Sequence, residues 1–136
     1  GDAYVRVGRW LNGPMPLGTS LTGKTVGIVG LGQIGQAVAR RAAAFDMNVI
    51  YYARREKPEF SYSYYPELMK LAEDSEFMVL TVAGGPETRH LVNADMLKAL
   101  GPQGYLINVA QGSVVDEEAL LIALRNREIA GAGLDV

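Results

Sequence analysis

Val26-Gly27-Ile28-Val29-Gly30-Leu31-Gly32-Gln33-Ile34-Gly35 is an apolar run that ends in three glycines spaced G-x-G-x-x-G and continues into a helical pattern. Each glycine has its own physical task in such a sequence. Gly30 permits a tight turn, Gly32 has no side chain to hold a pyrophosphate away, and Gly35 lets the following helix lie close to the strand. The first turn of that helix offers unpaired N–H groups and a partial positive charge to phosphate oxygens. On its own the spacing describes a glycine-rich turn with no ligand equally well. The strand before it, the helix after it and a second strand from residue 47 make it a dinucleotide-binding signature.

Outward from this turn, short apolar runs alternate with helix-like stretches. The runs cover residues 24–29, 47–52, 76–82, 105–109 and 130–136. They lack polar alternation, as strands buried on both faces of a parallel sheet do. A helix over 33–45 sets Ile34, Val38, Ala42 and Phe45 on one side and leaves Arg40 and Arg41 outside. A second, over 66–72, opens with Pro66 in its first turn. A third, over 93–100, starts at the capping residue Asn93. The fourth, over 116–126, starts at Asp116, with Glu117 and Glu118 in its first turn and Arg125 in its last, matching the helix dipole. Leu120, Ile122, Ala123 and Leu124 give it an apolar side. Strand–helix alternation with right-handed crossovers predicts an α/β, doubly wound parallel sheet of Rossmann type.

Residues 1–20 differ in character. Trp10 and the cluster Gly13, Pro14, Pro16 and Gly18 predict a helical turn and a linker, which leaves 21–136 as the dinucleotide-binding domain. Tyr62, Tyr64 and Tyr65 are expected to pack a loop against the helix that follows. Met47, Met69, Met78 and Met96 are expected to fill the core.

The second strand ends Tyr52-Ala53-Arg54-Arg55. An acidic residue at that end accepts the ribose hydroxyls of NAD. Here Ala53 stands in its place and two guanidinium groups follow. A carboxylate would repel a 2′-phosphate, whereas arginines bind it by charge-assisted hydrogen bonds. NADP(H) is therefore favoured over NAD(H).

Composition narrows the remaining classes. The 136 residues are 49% hydrophobic and 21% charged, with 13 basic and 15 acidic side chains and a formal net charge of −2. That balance points to neither nucleic acid nor a membrane surface as a partner. The absence of cysteine excludes disulfides and thiolate metal sites, and no metal site is expected. No apolar stretch approaches the ~20 residues of a bilayer span. A cytoplasmic protein is the expectation.

With these residues in view, the chain resembles the cofactor domain of the D-isomer-specific 2-hydroxyacid dehydrogenases. The resemblance rests on Arg9-Trp10, on the block from Leu21 to Gly35, on Glu87-Thr88-Arg89-His90-Leu91-Val92-Asn93, and on Leu106-Ile107-Asn108-Val109-Ala110. It extends through the block from Gly112 to Leu120 and through Gly131-Ala132-Gly133-Leu134-Asp135-Val136. Ala53-Arg54 and the loop from Val82 to Thr88 are most similar to the NADPH-dependent glyoxylate, hydroxypyruvate and hydroxyphenylpyruvate reductases within that family. Beside the turn glycines Gly30, Gly32 and Gly35 of the cofactor site, the resemblance implies cofactor contacts at Gln33 and Ile34 on the pyrophosphate and at Arg54 and Arg55 on the 2′-phosphate. It also implies contacts at Val82, Ala83 and Thr88 beside the adenosine, and at Val109, Ala110 and Asp135 around the nicotinamide. The implied substrate is a small 2-oxo acid, and a homodimer formed through this domain is a further implication.

Two departures stand out. The family's substrate-binding arginine belongs where this chain has Gln111. Its catalytic glutamate and histidine belong beyond the last block, and the sole histidine, His90, does not match the catalytic one but reads as a partly exposed loop residue. The expectation is a cofactor domain without its substrate domain, inactive alone. The alternatives are a cofactor-sensing binding module without catalysis, which the missing catalytic groups favour, and a structural α/β domain with a vacant turn.

Overall fold

In the computed structural model, which describes residues 1–16 and 18–136, the five apolar runs and one tyrosine-rich segment form a single sheet. Its strands are β1 (Thr25–Val29), β2 (Asn48–Tyr52), β3 (Ser63–Tyr65), β4 (Phe77–Leu80), β5 (Tyr105–Asn108) and β6 (Gly131–Leu134). All neighbours pair in parallel, in the order β3-β2-β1-β4-β5-β6. The chain runs outward from β1 to β3 and then returns to start again at β4. The carboxyl ends of β1 and β4 therefore flank the point where the order reverses, and ligands bind there in open α/β sheets.

Among the described residues the α-helices are α1 (Asp2–Arg6), α2 (Gln33–Ala44), α3 (Leu68–Glu73), α4 (Ala94–Leu100) and α5 (Glu117–Arg125). Strand residues alternate between two cores. Val26, Ile28, Val49, Tyr51 and Val79 pack with Ala39 and Ala42 of α2. Val29, Ile50, Met78, Leu80 and Leu106 pack with Leu71, Leu97, Leu100, Leu120 and Ala123 of α3, α4 and α5. Asn93 and Asp116 cap α4 and α5, accepting from the N–H groups of Met96 and Ala119 at 3.1 Å each. At the amino end of the sheet, Glu76 joins β4 to β1. It accepts from Lys24 Nζ at 2.7 Å and from the Thr25 N–H at 2.9 Å.

Several expectations need correction. The tyrosine cluster is not all loop, because Ser63–Tyr65 is an edge strand paired with β2. The inward face of α2 is Gly35, Ala39 and Ala42, while Ile34 and Phe45 are exposed. At Gly35 this helix lies so close to the end of β1 that a side chain there would meet the Gly30 carbonyl, and half-buried Val38 packs beside the two alanines. In α5, Leu120 and Ala123 face inward and Ile122 is exposed. Pro66 precedes α3, whose N-cap is Glu67. Met78 and Met96 are buried and Met47 is half-buried, but Met69 is exposed. The N-terminal helical turn is present as α1 and a 3-10 turn at Arg9–Asn12, where Tyr4 and Trp10 meet edge to face, 6.4 Å between centroids.

Candidate functional site

The glycine-rich turn is held from both sides. The Gly30 N–H donates to Tyr52 O at 2.9 Å, and the Thr81 hydroxyl donates to Gly30 O at 2.5 Å. Gly30 has φ +100°, a conformation open chiefly to glycine, and a Cβ there would meet the backbone of Thr81 and Val82. At Gly35 a Cβ would collide with the Gly30 carbonyl oxygen. Gly32 is different. It is the N-cap of α2, with ordinary φ of −81°, and a Cβ there would meet no protein atom within 4 Å. Its bareness keeps open space outside the protein. No side chain caps α2, so its first N–H groups remain available to an anion. These residues fit a dinucleotide pyrophosphate.

That open space belongs to a cleft of about 1220 Å³ at the carboxyl ends of β1, β2 and β4. Of the residues singled out from the sequence, Gly30, Gly32, Arg54, Arg55, Val82, Ala83 and Thr88 line it together. Gln33, Ile34 and Gly35 stand beside it in the first turn of α2. Val109, Ala110, Gln111 and Asp135 follow β5 and β6 and are not part of its lining. Thr88 Oγ1 is turned onto its own loop, donating to Ala83 O at 2.8 Å. Across the mouth, Arg54 Nη1 lies 3.7 Å from Glu87 Oε2, both side chains almost fully exposed. Arg55 forms no ion pair among the described residues.

Past β5, the buried Asn108 fixes the backbone that carries the next residues. Its Nδ2 donates to Gln111 O and its Oδ1 accepts from the Ala110 N–H, both at 3.0 Å. The Gln111 carboxamide rests on Gly84, where any Cβ would collide with it. His90 is an exposed loop residue with φ +50°, and its N–H donates to Ser113 O at 2.8 Å. Thr81 and Asn108 were not singled out from the sequence as site residues. Both act by orienting backbone, a role with no motif of its own. Their one sequence signal is a polar residue at the end of an apolar run. Among the described residues no helix is long and apolar enough to cross a membrane.

Over residues 1–136 the chain matches the family described as D-isomer specific 2-hydroxyacid dehydrogenase, NAD binding domain. It is 50% identical over 135 residues to a 2-ketogluconate reductase of Gluconobacter oxydans (strain 621H), covering 99% of this chain and 44% of that protein. A hydroxyphenylpyruvate reductase of Plectranthus scutellarioides is 47% identical, with 99% and 43% covered. An NADPH-dependent glyoxylate/hydroxypyruvate reductase from Sinorhizobium meliloti, solved in complex with NADP and malonate, superposes with a TM-score of 0.92 at 48% identity, covering 99% of this chain and 43% of that one. The chain spans less than half the length of these relatives.

Proposed function

This chain belongs to the D-isomer specific 2-hydroxyacid dehydrogenase family as its NAD binding domain, and from that premise we propose that it is the cofactor half of an NADPH-preferring 2-oxo acid reductase. The observation that carries the preference is the pair Arg54 and Arg55 on the cleft wall, with Ala53 in place of an acid. A 2′-phosphate laid there meets guanidinium donors, and the uncharged Ala53 stands where an acid would repel it, while Glu56 and Glu59 lie further along the same loop.

The reduced dinucleotide, when bound, supplies a hydride to the 2-oxo carbon. The chain's own work is orientation. The N–H groups of Gln33 and Ile34 hold the pyrophosphate and Gly32 leaves room for it. Arg54 and Arg55 hold the 2′-phosphate, while Val82, Ala83 and Thr88 bound the adenosine. Val109, Ala110 and Asp135 flank the nicotinamide, at the side where a substrate domain would close and exclude water. In this scheme residues 1–20 lead into the cofactor domain at 21–136, and the protein is a cytoplasmic homodimer. Exposed Val5, Val7, Trp10 and Leu11 support the pairing.

Calorimetric titration with NADPH and NADH tests the preference. NADPH is expected to bind more tightly by about 1.5–3 kcal/mol, the value of a hydrogen bond to a charged group. Arg54→Ala with Arg55→Ala should abolish the difference. Equal affinities in the wild-type protein would refute the assignment.

Gln111 favours a second scheme, a cofactor-sensing module. A carboxamide offers a substrate carboxylate no charge. Dinucleotide-dependent association with a partner protein, without turnover in the full-length protein, would select this scheme over the first.

A further inference from the structure

Arg54 and Arg55 are exposed residues on a loop, a poor platform for recognising a single phosphate unless the backbone beneath them is fixed. Two tyrosines supply that fixity. Tyr51, the penultimate residue of β2 and 1% exposed, directs its hydroxyl at Lys57. It accepts from the Lys57 N–H at 2.8 Å and donates to Lys57 O at 3.4 Å. Tyr64, in β3, donates its hydroxyl to Ala53 O at 3.2 Å. The two rings touch, 5.4 Å between centroids and tilted by 44°. Residues 53 and 57 are thus tied to neighbouring side chains of one aromatic unit, with both arginines between them.

We propose that Tyr51 and Tyr64 are positioning residues for 2′-phosphate recognition, setting cofactor specificity by holding the Arg54–Arg55 turn in its binding shape before the ligand arrives. The proposal rests on the NADPH preference assigned above. Its physical basis is preorganisation: a turn already ordered loses less conformational freedom when it captures an anion. The effect should be confined to the phosphate. The glycine turn has its own brace, in which Thr81 and Tyr52 hold Gly30, and neither tyrosine hydroxyl takes part in it. The short strand β3 gains a purpose as well, since pairing with β2 in the register Tyr51↔Tyr64 is what brings the second hydroxyl to Ala53.

The test removes the hydroxyls and keeps the rings, with Tyr51→Phe, Tyr64→Phe and the double variant of the full-length protein. The probes are 2′,5′-ADP and 5′-AMP, which differ only in the 2′-phosphate. Each single variant should weaken 2′,5′-ADP about fivefold, the worth of one ordinary hydrogen bond, and leave 5′-AMP within about twofold. In a background already carrying Arg54→Ala and Arg55→Ala, the tyrosine changes should cause no further loss, because the coupling has been removed. Equal losses for both probes, or none for either, would overturn the proposal. If Tyr51→Phe does not fold, the half-buried Tyr64 carries the test alone. Should the arginine changes themselves leave 2′,5′-ADP binding intact, the NADPH assignment fails and this proposal falls with it. Should they weaken it while the tyrosine changes do not, only the tyrosine proposal fails.

Discussion

The side chain of Gln111 lies on the bare Cα of Gly84, joining the turn after β5 to the loop after β4. Two loops on different strands thereby share one contact, and a residue larger than glycine at position 84 would push the carboxamide away. The contact matters because the resemblance implies a substrate-binding arginine at position 111. An arginine offers a carboxylate two parallel N–H donors and a full charge, while glutamine offers one neutral amide.

Gln111→Arg in the full-length protein is therefore expected to raise kcat/KM for glyoxylate or hydroxypyruvate by about 10–100-fold, the worth of a charge-assisted pair. NADPH affinity should hardly change, since Gln111 is outside the lining of the cleft. Steady-state NADPH oxidation and a cofactor titration check both halves. A wild-type rate equal to that of the variant would show that another cation already holds the carboxylate.

The glycines of the turn should separate stability from binding. Gly35→Ala forces a methyl group into the Gly30 carbonyl and onto the Thr81 hydroxyl, and is expected to cost about 1–3 kcal/mol in urea denaturation. Gly32→Ala meets nothing and keeps an ordinary φ, so its stability should stay within about 1 kcal/mol of wild type. Dinucleotide affinity should nevertheless drop sharply in Gly32→Ala. A Gly32→Ala protein that binds NADPH normally would contradict the placement of the pyrophosphate.

Thr81→Val keeps the shape of the side chain and deletes the donor to Gly30 O. Loss of about 1–2 kcal/mol of stability is expected, accompanied by weaker binding of both NADPH and NADH because the turn they share loses its brace. Selective loss of NADPH alone would be inconsistent with a role at the pyrophosphate.

Glu76 has its carboxyl held below the usual glutamate range by the hydrogen bond from Lys24 and then by that from the Thr25 N–H. A depressed folded-state value contributes stability above the unfolded value of about 4.3 and loses it as pH falls through the folded one. Glu76→Gln should therefore lower Tm near pH 7, and the gap to wild type should close as pH drops below about 4.3. Thermal scans across this range provide the check, and a gap that widened in acid would reverse the assignment.

Much of the fold was legible because β1, β2, β4 and β5 are covered on both sides, so each reads as an unbroken apolar run. β3 escaped notice because three residues at a sheet edge, Ser63-Tyr64-Tyr65, show neither a run nor a clean alternation. The inward face of α2 departs from the pattern for a different reason. Hydrophobicity selects Ile34 and Phe45, but close approach to β1 selects Gly35, Ala39 and Ala42, and distance of approach is not written in any periodicity. At the site, Gly30, Gly32, Arg54 and Arg55, which line the cleft, are legible from their type and order. Thr81 and Tyr64 act on backbone of the loop after a neighbouring strand, which strand order decides, while Asn108 and Tyr51 act on the segment that follows their own strand, whose turn no motif announces.

That order also has a consequence in time. The glycine turn is completed by residue 35, yet its brace is Thr81 and one wall of its cleft is Val82. β1 meets β4 only once the register from Val26↔Phe77 to Val29↔Leu80 can form. At synthesis rates of about 5–20 residues per second, the emerging turn waits several seconds for its partner strand. During that interval the half-made sheet has an open edge at β1, and the cleft lacks the wall formed by Thr81 to Thr88. Until β4 arrives, β1 is held by its pairing with β2 and by the packing of Ala39 and Ala42 of α2 against Val26 and Ile28.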